Sequence, residues 1–243
     1  MAAIADVQPI HYHVTLVSRG DARLHAKQWL VEQLYYNTER VFHTFPDVDA
    51  ADNFVNCSAK CAGPWLHMVE MCQASWPNSL DEIKRLFLDP ASQKIICIDE
   101  KLEMERDGNT RLAHSPADEQ FPWYILQGHF YDADRFVAVF RHLNDDEASD
   151  NPASHPDYYE MKWVVVHRIS ESKCVVRMLG YRTMLLDGMI AFAKNFGNNR
   201  LDQTGVDVKT VEREVAAFGN GFVWEYQKRM QALIGQLEML SME

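Results

Sequence analysis

The chain has no long hydrophobic run. Its most apolar stretches, Trp163–Val166 and Met184–Leu186, fall far short of the ~20 residues a membrane-spanning helix needs. It has no surplus of positive charge either. Lys and Arg number 24 against 35 Asp and Glu, a net charge of −11. That disfavours nucleic acid, whose phosphates are bound by an excess of cations, and it disfavours standing adhesion to anionic lipid. The opening residues, MAAIADVQPIHYH, show neither the basic start nor the apolar core of a secretory signal, so the expected location is cytoplasmic. G-x-G-x-x-G and P-loop patterns are missing, which disfavours nucleotide and dinucleotide chemistry. There is no G-x-S-x-G elbow and no flanked cysteine signature of the kind hydrolases carry. Internal repeats and low-complexity segments are absent.

Cysteine is sparse and odd in number: Cys57, Cys61, Cys72, Cys97 and Cys174. These read as reduced core thiols. Cys57-x3-Cys61, with His67 and Cys72 nearby, lacks the second ligand pair of a structural zinc site. His11-x-His13 offers only two imidazoles. No metal and no cofactor are expected.

What is present is ordinary globular material: 243 residues, 47% hydrophobic and 24% charged. A chain of this size buries roughly 70% of its extended-chain surface and needs no staples. Its most informative feature is the order of two patterns. A strand-rich middle, Leu112 to Met184, precedes one long amphipathic segment, Asp207 to Leu240. There apolar residues recur in steps of three or four, at Val208, Val211, Val215, Phe218, Phe222 and onward through Tyr226, Met230, Leu233, Leu237 and Leu240. That is one face of an α-helix.

Other elements follow from local signals. Asp21 to Phe45 reads as a helix capped by Asp21 and ended by Pro46. Asn56–Lys60 and Trp65–Ala74 read as strands. Asn78 or Ser79 caps a short helix, Leu80 to Leu88, with Leu80, Ile83, Leu86 and Phe87 inward. Strands are expected over Lys94–Arg106, Phe121–Tyr131, Arg135–Leu143, Glu160–Ile169 and Cys174–Leu185, with a hairpin turn at Asp107-Gly108-Asn109. Leu186–Asn195 reads as a short helix and Phe196–Gly205 as a turn. Gly219-Asn220-Gly221 interrupts the final helix pattern and suggests a hinge or a close backbone contact.

Polar residues inside the strand patterns are the candidate ligand anchors. A charge or imidazole on an inward face needs a partner. His129 is in phase with Trp123 and Ile125. His167 shares a face with Trp163 and Val165. Arg177 is in phase with Val175, Leu179 and Tyr181.

The stretch Leu80 to Glu147 resembles the START lipid-transfer domain, within the wider Bet v 1-like helix-grip superfamily. Ser79-Leu80-Asp81-Glu82-Ile83-Lys84-Arg85-Leu86-Phe87 with Asp89-Pro90 matches that family's short helix and its break. Asp134-Arg135-Phe136-Val137 matches a strand entry, with the Arg and Asp order inverted. Trp163–Ile169 and Cys174–Met184 sit at the last two strands, and Val208–Leu240 at the closing helix. Two departures stand out: the glycine-rich strand before the last helix is weak, and Leu186–Val206 is long. The resemblance implies an α+β domain spanning 1–243, in which a curved antiparallel sheet grips the C-terminal helix. Its parts are an N-terminal helical segment (1–53), a sheet with short helices (54–206) and the C-terminal helix (207–243). It also implies a hollow interior that holds one lipid or sterol-like molecule without covalent chemistry; the net charge leaves room for transient membrane contact through a local basic or apolar patch.

The expected ligand-lining residues are Trp123, Ile125, His129 and Phe136 from the middle strands. Trp163, Val165, His167 and Arg177 come from the last two, and Val215, Phe218 and Phe222 from the helix. Two alternatives stay open. One is an enzyme on the same scaffold, a cyclase or hydrolase using His129, His167 and Asp134 as acid and base. The other is a protein-interaction domain whose large side chains fill its own core.

Overall fold

The structure, a computed structural model, describes residues 13–89, 92–93, 101–115, 123–149, 157–195 and 207–240. In chain order the elements are β1 (Thr15–Leu16), α1 (Gly20–Tyr36), α2 (Thr38–Phe42), β2 (Phe54–Ala62), β3 (Trp65–Trp76), α3 (Leu80–Leu88), β4 (Glu103–Asp107) and β5 (Thr110–His114). Then come β6 (Tyr124–Tyr131), β7 (Arg135–Leu143), β8 (Asp145–Asp146), β9 (Tyr159–Ser170), β10 (Lys173–Leu185), α4 (Leu186–Asn195) and α5 (Val208–Leu240).

Eight of the described strands form one sheet in the order β2-β3-β10-β9-β7-β6-β5-β4. All neighbours are antiparallel. β1 and β8 make a separate parallel pair. The sheet has a helix on each face. α1 lies against β6 and β7 on one side. α5 lies along β2 and β3 and reaches α3 on the other. This is the α+β helix-grip arrangement expected from the strand-then-stripe order.

Several local signals are realised as read. Ser79 Oγ accepts from the Glu82 amide at 3.3 Å and Glu82 Oε2 accepts from the Ser79 amide at 2.7 Å, a capping box that starts α3. Asp207 accepts from the Thr210 amide at 3.1 Å and caps α5. The Asp107-Gly108-Asn109 turn joins β4 to β5. Others differ. The helix expected from Asp21 to Phe45 breaks at Asn37, whose Nδ2 donates back to Gln33 O at 2.6 Å, and Arg19 rather than Asp21 holds the cap position. β5, not expected as a separate strand, is the return strand of the hairpin expected at Asp107-Gly108-Asn109, at the start of the strand-rich middle. The expected turn Phe196–Gly205, Cys97 and His11 lie outside the described residues.

Both faces of the sheet are buried. One apolar cluster joins α1 to Val137, Val139, Trp163, Val165 and Leu179. Another joins α3 and α5 to Phe136, Phe140, Val164, Val176 and Met178. Consecutive strand residues therefore belong to different cores, as the pleat dictates. Contact under α1 is close: a Cβ at Gly128 would lie 2.5 Å from Val31 Cβ. Beside it Arg23 is held by Asp146 at 2.6 Å and Glu105 at 2.8 Å, and Lys27 by Glu105 and Asp107. No helix among the described residues is long and apolar enough to cross a membrane.

Candidate functional site

The site is built from the strand positions that face α5. On β9 these are Glu160, Lys162, Val164 and Val166, interleaved with Met161, Trp163 and Val165 on the α1 side. On β10 they include Val176, Met178 and Arg182, and on β3 Glu70 and Trp76. α5 covers them with a buried line at Val215, Gly219, Val223, Gln227, Met230 and Ile234. The steps of three and four keep that line on one side of the helix.

Between helix and sheet lies a small pocket of about 50 Å³. Its apolar wall includes Trp76, Phe87, Ile125, Phe140, Val164 and Met178. Tyr226, Gln227 and Met230 roof it from α5. Its polar corner holds Glu160, Lys162 and His142.

That corner is a charge network. Arg182 Nη2 donates to Glu160 Oε1 and Nη1 to Glu70 Oε1, both at 3.0 Å. Lys162 Nζ stands 3.4 Å from Glu160 Oε1. The Tyr158 hydroxyl donates to Glu160 Oε2 at 2.8 Å. His142 meets the Tyr158 ring edge-on at 4.8 Å. Burial pushes the Glu160 carboxyl up, but Arg182 and Lys162 outweigh it and hold the group well below the usual carboxylate range. Burial lowers the Arg182 guanidinium, yet Glu70, Tyr158 and Glu160 together raise it well above its ordinary value. Burial also drives the Tyr158 phenol upward. Glu160 and Arg182 therefore stay charged, and Tyr158 neutral, around neutral pH.

Two further polar atoms lining the pocket have no hydrogen-bond partner among the described residues: Gln227 Oε1 and Trp76 Nε1. Their residues are 6% and 1% exposed.

The residues expected to line a ligand site divide three ways. Ile125 lines the pocket. His129 and Phe136 lie on the same face, with the imidazole stacked on the Phe136 ring at 6.1 Å. Burial, with Arg111 nearby, lowers the His129 pKa to about 3, so it is neutral. Trp123 sits just before β6, half-buried, its amide donating to Ser115 Oγ at 3.0 Å.

Trp163, Val165, His167 and Arg177 occupy the opposite face, which corrects their expected placement. Trp163 Nε1 donates to Leu34 O of α1 at 2.8 Å. Val165 packs in the α1 core. His167 is exposed, and Arg177 donates to Gln73 Oε1 at 2.7 Å. Alternation separates two faces but does not say which one looks at α5 when both are apolar.

On the helix, Val215 is buried with Leu66 and Met68, and Phe218 packs beside it. Phe222 is half-buried and stacks on Phe218 at 6.1 Å. These three serve the β2–β3 end and not the pocket. Val208 is 57% exposed, so the real inner line is rotated from the apolar stripe. The stripe misled because Gly219 and Gln227, both inward, are not hydrophobic. Glu160, Lys162, Arg182 and Gln227 were missed. The available signal was an excess of charge on neighbouring strands, in phase with Val164 and Met178.

The described thiols Cys57, Cys61, Cys72 and Cys174 are free. Burial, with Glu70 close, pushes Cys57 up to about 12, and Cys72 likewise. Such thiols are poor nucleophiles and poor metal ligands. Among the described residues no group of three or more His, Cys, Asp or Glu is placed to hold a metal ion.

No protein-family model matches the chain. No curated protein matches it either. Among solved structures, human StAR-related lipid transfer protein 5 is similar at a TM-score of 0.47 and 8% identity, over 87% of this chain and 99% of that one. Human STARD10 is similar at 0.46 and 7%, over 84% and 80%. The Zhui aromatase/cyclase from a Streptomyces species is similar at 0.40 and 12%, over 71% and 94%. At this distance nothing about ligand or chemistry transfers from these proteins to this chain.

Proposed function

We propose that the chain binds a hydrophobic small molecule, a lipid in the broad sense, between the sheet and α5, and carries it without covalent chemistry. The supporting observation is the pocket itself: a mostly apolar wall with one compact polar corner, the usual make-up of a small-molecule site. Its open volume of about 50 Å³ is well below the roughly 300–1,000 Å³ of a filled ligand site. A lipid therefore enters by displacing side chains. Met178 and Met230, both in the lining, are unbranched and adapt readily.

Glu160 and Tyr158 in that corner are poorly suited to acid–base catalysis. A catalytic acid or base works best with a pKa near the operating pH. Glu160 is held far below that range and Tyr158 far above it. Free, buried thiols suit a reducing compartment such as the cytosol. The net charge of −11 favours brief over standing contact with anionic membranes.

The test is to purify the protein under native conditions, denature it, and identify what is released by mass spectrometry. A lipid present in stoichiometric amount supports the reading. A protein that releases nothing, and whose unfolding temperature no lipid in a broad panel shifts, rejects it in favour of a self-filled core.

A further inference from the structure

We propose that the head group recognised in this pocket is uncharged and hydrogen-bonding, a hydroxyl or an amide on an apolar body, and not a carboxylate, a phosphate or a quaternary ammonium. The inference rests on the lipid-binding reading above and narrows it to a ligand class.

The first ground is that the charges are already matched. Arg182 and Lys162 face Glu70 and Glu160, two cations against two anions, all within 3.4 Å of a partner. Both carboxylate oxygens of Glu160 are engaged, one by Arg182 and the other by the Tyr158 hydroxyl. Lys162 also lies over the Tyr226 ring at 5.9 Å. Arg182 Nε has no partner among the described residues, but the two cations already face two anions, so a charged head group entering here would be desolvated against a network of no net charge.

The second ground is the pair of unsatisfied neutral atoms. Gln227 Oε1 can only accept and Trp76 Nε1 can only donate. Both line the pocket, both belong to residues more than nine-tenths buried, and neither has a partner among the described residues. Gln227 is also the one polar side chain on the inner line of α5 among the described residues. Leaving such a group unpaired is costly, so its position calls for a donor. A carboxylate or phosphate ester brings no donor to Gln227, and a quaternary ammonium brings neither donor nor acceptor. A hydroxyl or an amide brings both.

The experiment compares four probes with one apolar body: dodecanol, dodecanamide, dodecanoate and dodecyltrimethylammonium. Binding is followed by calorimetry at pH 7.5, below the micelle concentrations. The alcohol and the amide should bind about tenfold or more tightly than either charged probe. Gln227→Leu should erase most of that preference while leaving the ligand-free protein folded, and Trp76→Phe should weaken the neutral probes in the same sense. Equal binding of all four, or tighter binding of a charged probe, overturns the proposal while lipid binding stands. So does a preference that Gln227→Leu leaves unchanged, which would mean that water satisfies these atoms. If none of the four binds, this inference fails, while the lipid-binding reading is still decided by the released-lipid and broad-panel test above. Should the variants fail to fold, the ranking of the four probes on the unaltered chain decides.

Discussion

The Cys57 amide of edge strand β2 donates to Asn220 Oδ1 of α5 at 2.7 Å, and the neighbouring Gly219 lies directly on the Cys57 thiol. A Cβ at Gly219 would overlap Cys57 Sγ, whereas one at Gly221 would meet nothing within 4 Å. α5 runs from Val208 to Leu240 straight through this triplet. The expected interruption is thus a docking point: one glycine permits contact, the asparagine satisfies an edge amide, and the second glycine is exposed. Glu212 does the same for the Cys61 amide at 2.8 Å.

The two glycines should therefore respond oppositely. Gly221→Ala should stabilise the protein by up to ~1 kcal/mol through helix propensity. Gly219→Ala should destabilise it by ~1–3 kcal/mol through overpacking. Urea unfolding of both variants measures this. Cys57→Ala should relieve much of the Gly219→Ala penalty, and a double-mutant cycle giving no coupling between positions 57 and 219 would contradict the contact.

Removing Arg182 strands two buried carboxylates. Arg182→Met should cost ~3–5 kcal/mol at neutral pH. Without the guanidinium the Glu160 carboxyl moves upward, so the deficit should shrink as the solution is acidified and Glu160 takes a proton. Unfolding measured at several pH values checks this. A deficit independent of pH would mean that Arg182 acts through packing alone.

His129 sets an acid limit. It is neutral in the fold, with a pKa of about 3 against an ordinary 6.5. Below 6.5 the unfolded chain binds a proton that the folded chain refuses, so stability falls with pH until about 3. The loss at pH 5 should be about 2 kcal/mol. His167, lowered mainly by burial and also by Arg135 and Arg177, works in the same direction. Comparing the acid unfolding of the protein with that of His129→Leu isolates the contribution, and identical slopes would refute it.

Trp163 serves α1. Trp163→Phe removes the bond to Leu34 O and should cost about 1 kcal/mol without altering lipid affinity. Changed affinity with unchanged stability would return Trp163 to the ligand side.

Local chemistry made much of the fold legible. The α3 helix announced itself through Ser79 and Glu82, β7 through Arg135 to Leu143, and α5 through its stripe. The site was less legible for a physical reason. Val164 and Val165 are equally apolar, because helices cover the sheet on both faces, and nothing in a single strand marks which residue meets α5. The orientation of α5 was likewise hidden by an inward glycine and glutamine. The charge partners Glu70, Glu160 and Arg182 are far apart in sequence and become one network only through strand pairing.

The pairing of β3 with β10 places Gln73 opposite Arg177, residues 104 positions apart. Closing so large a loop is slow and comes late in folding. Trp76 comes from the early side of that loop, Ile125 from its middle, and Met230 from beyond its far end. No fragment that stops short of Met230 can therefore contain the whole pocket. Until α5 docks, the β2–β3 hairpin lacks the helix that covers one of its faces. The pocket exists only while α5 lies over the strands, so a ligand held there would also hold helix and sheet together.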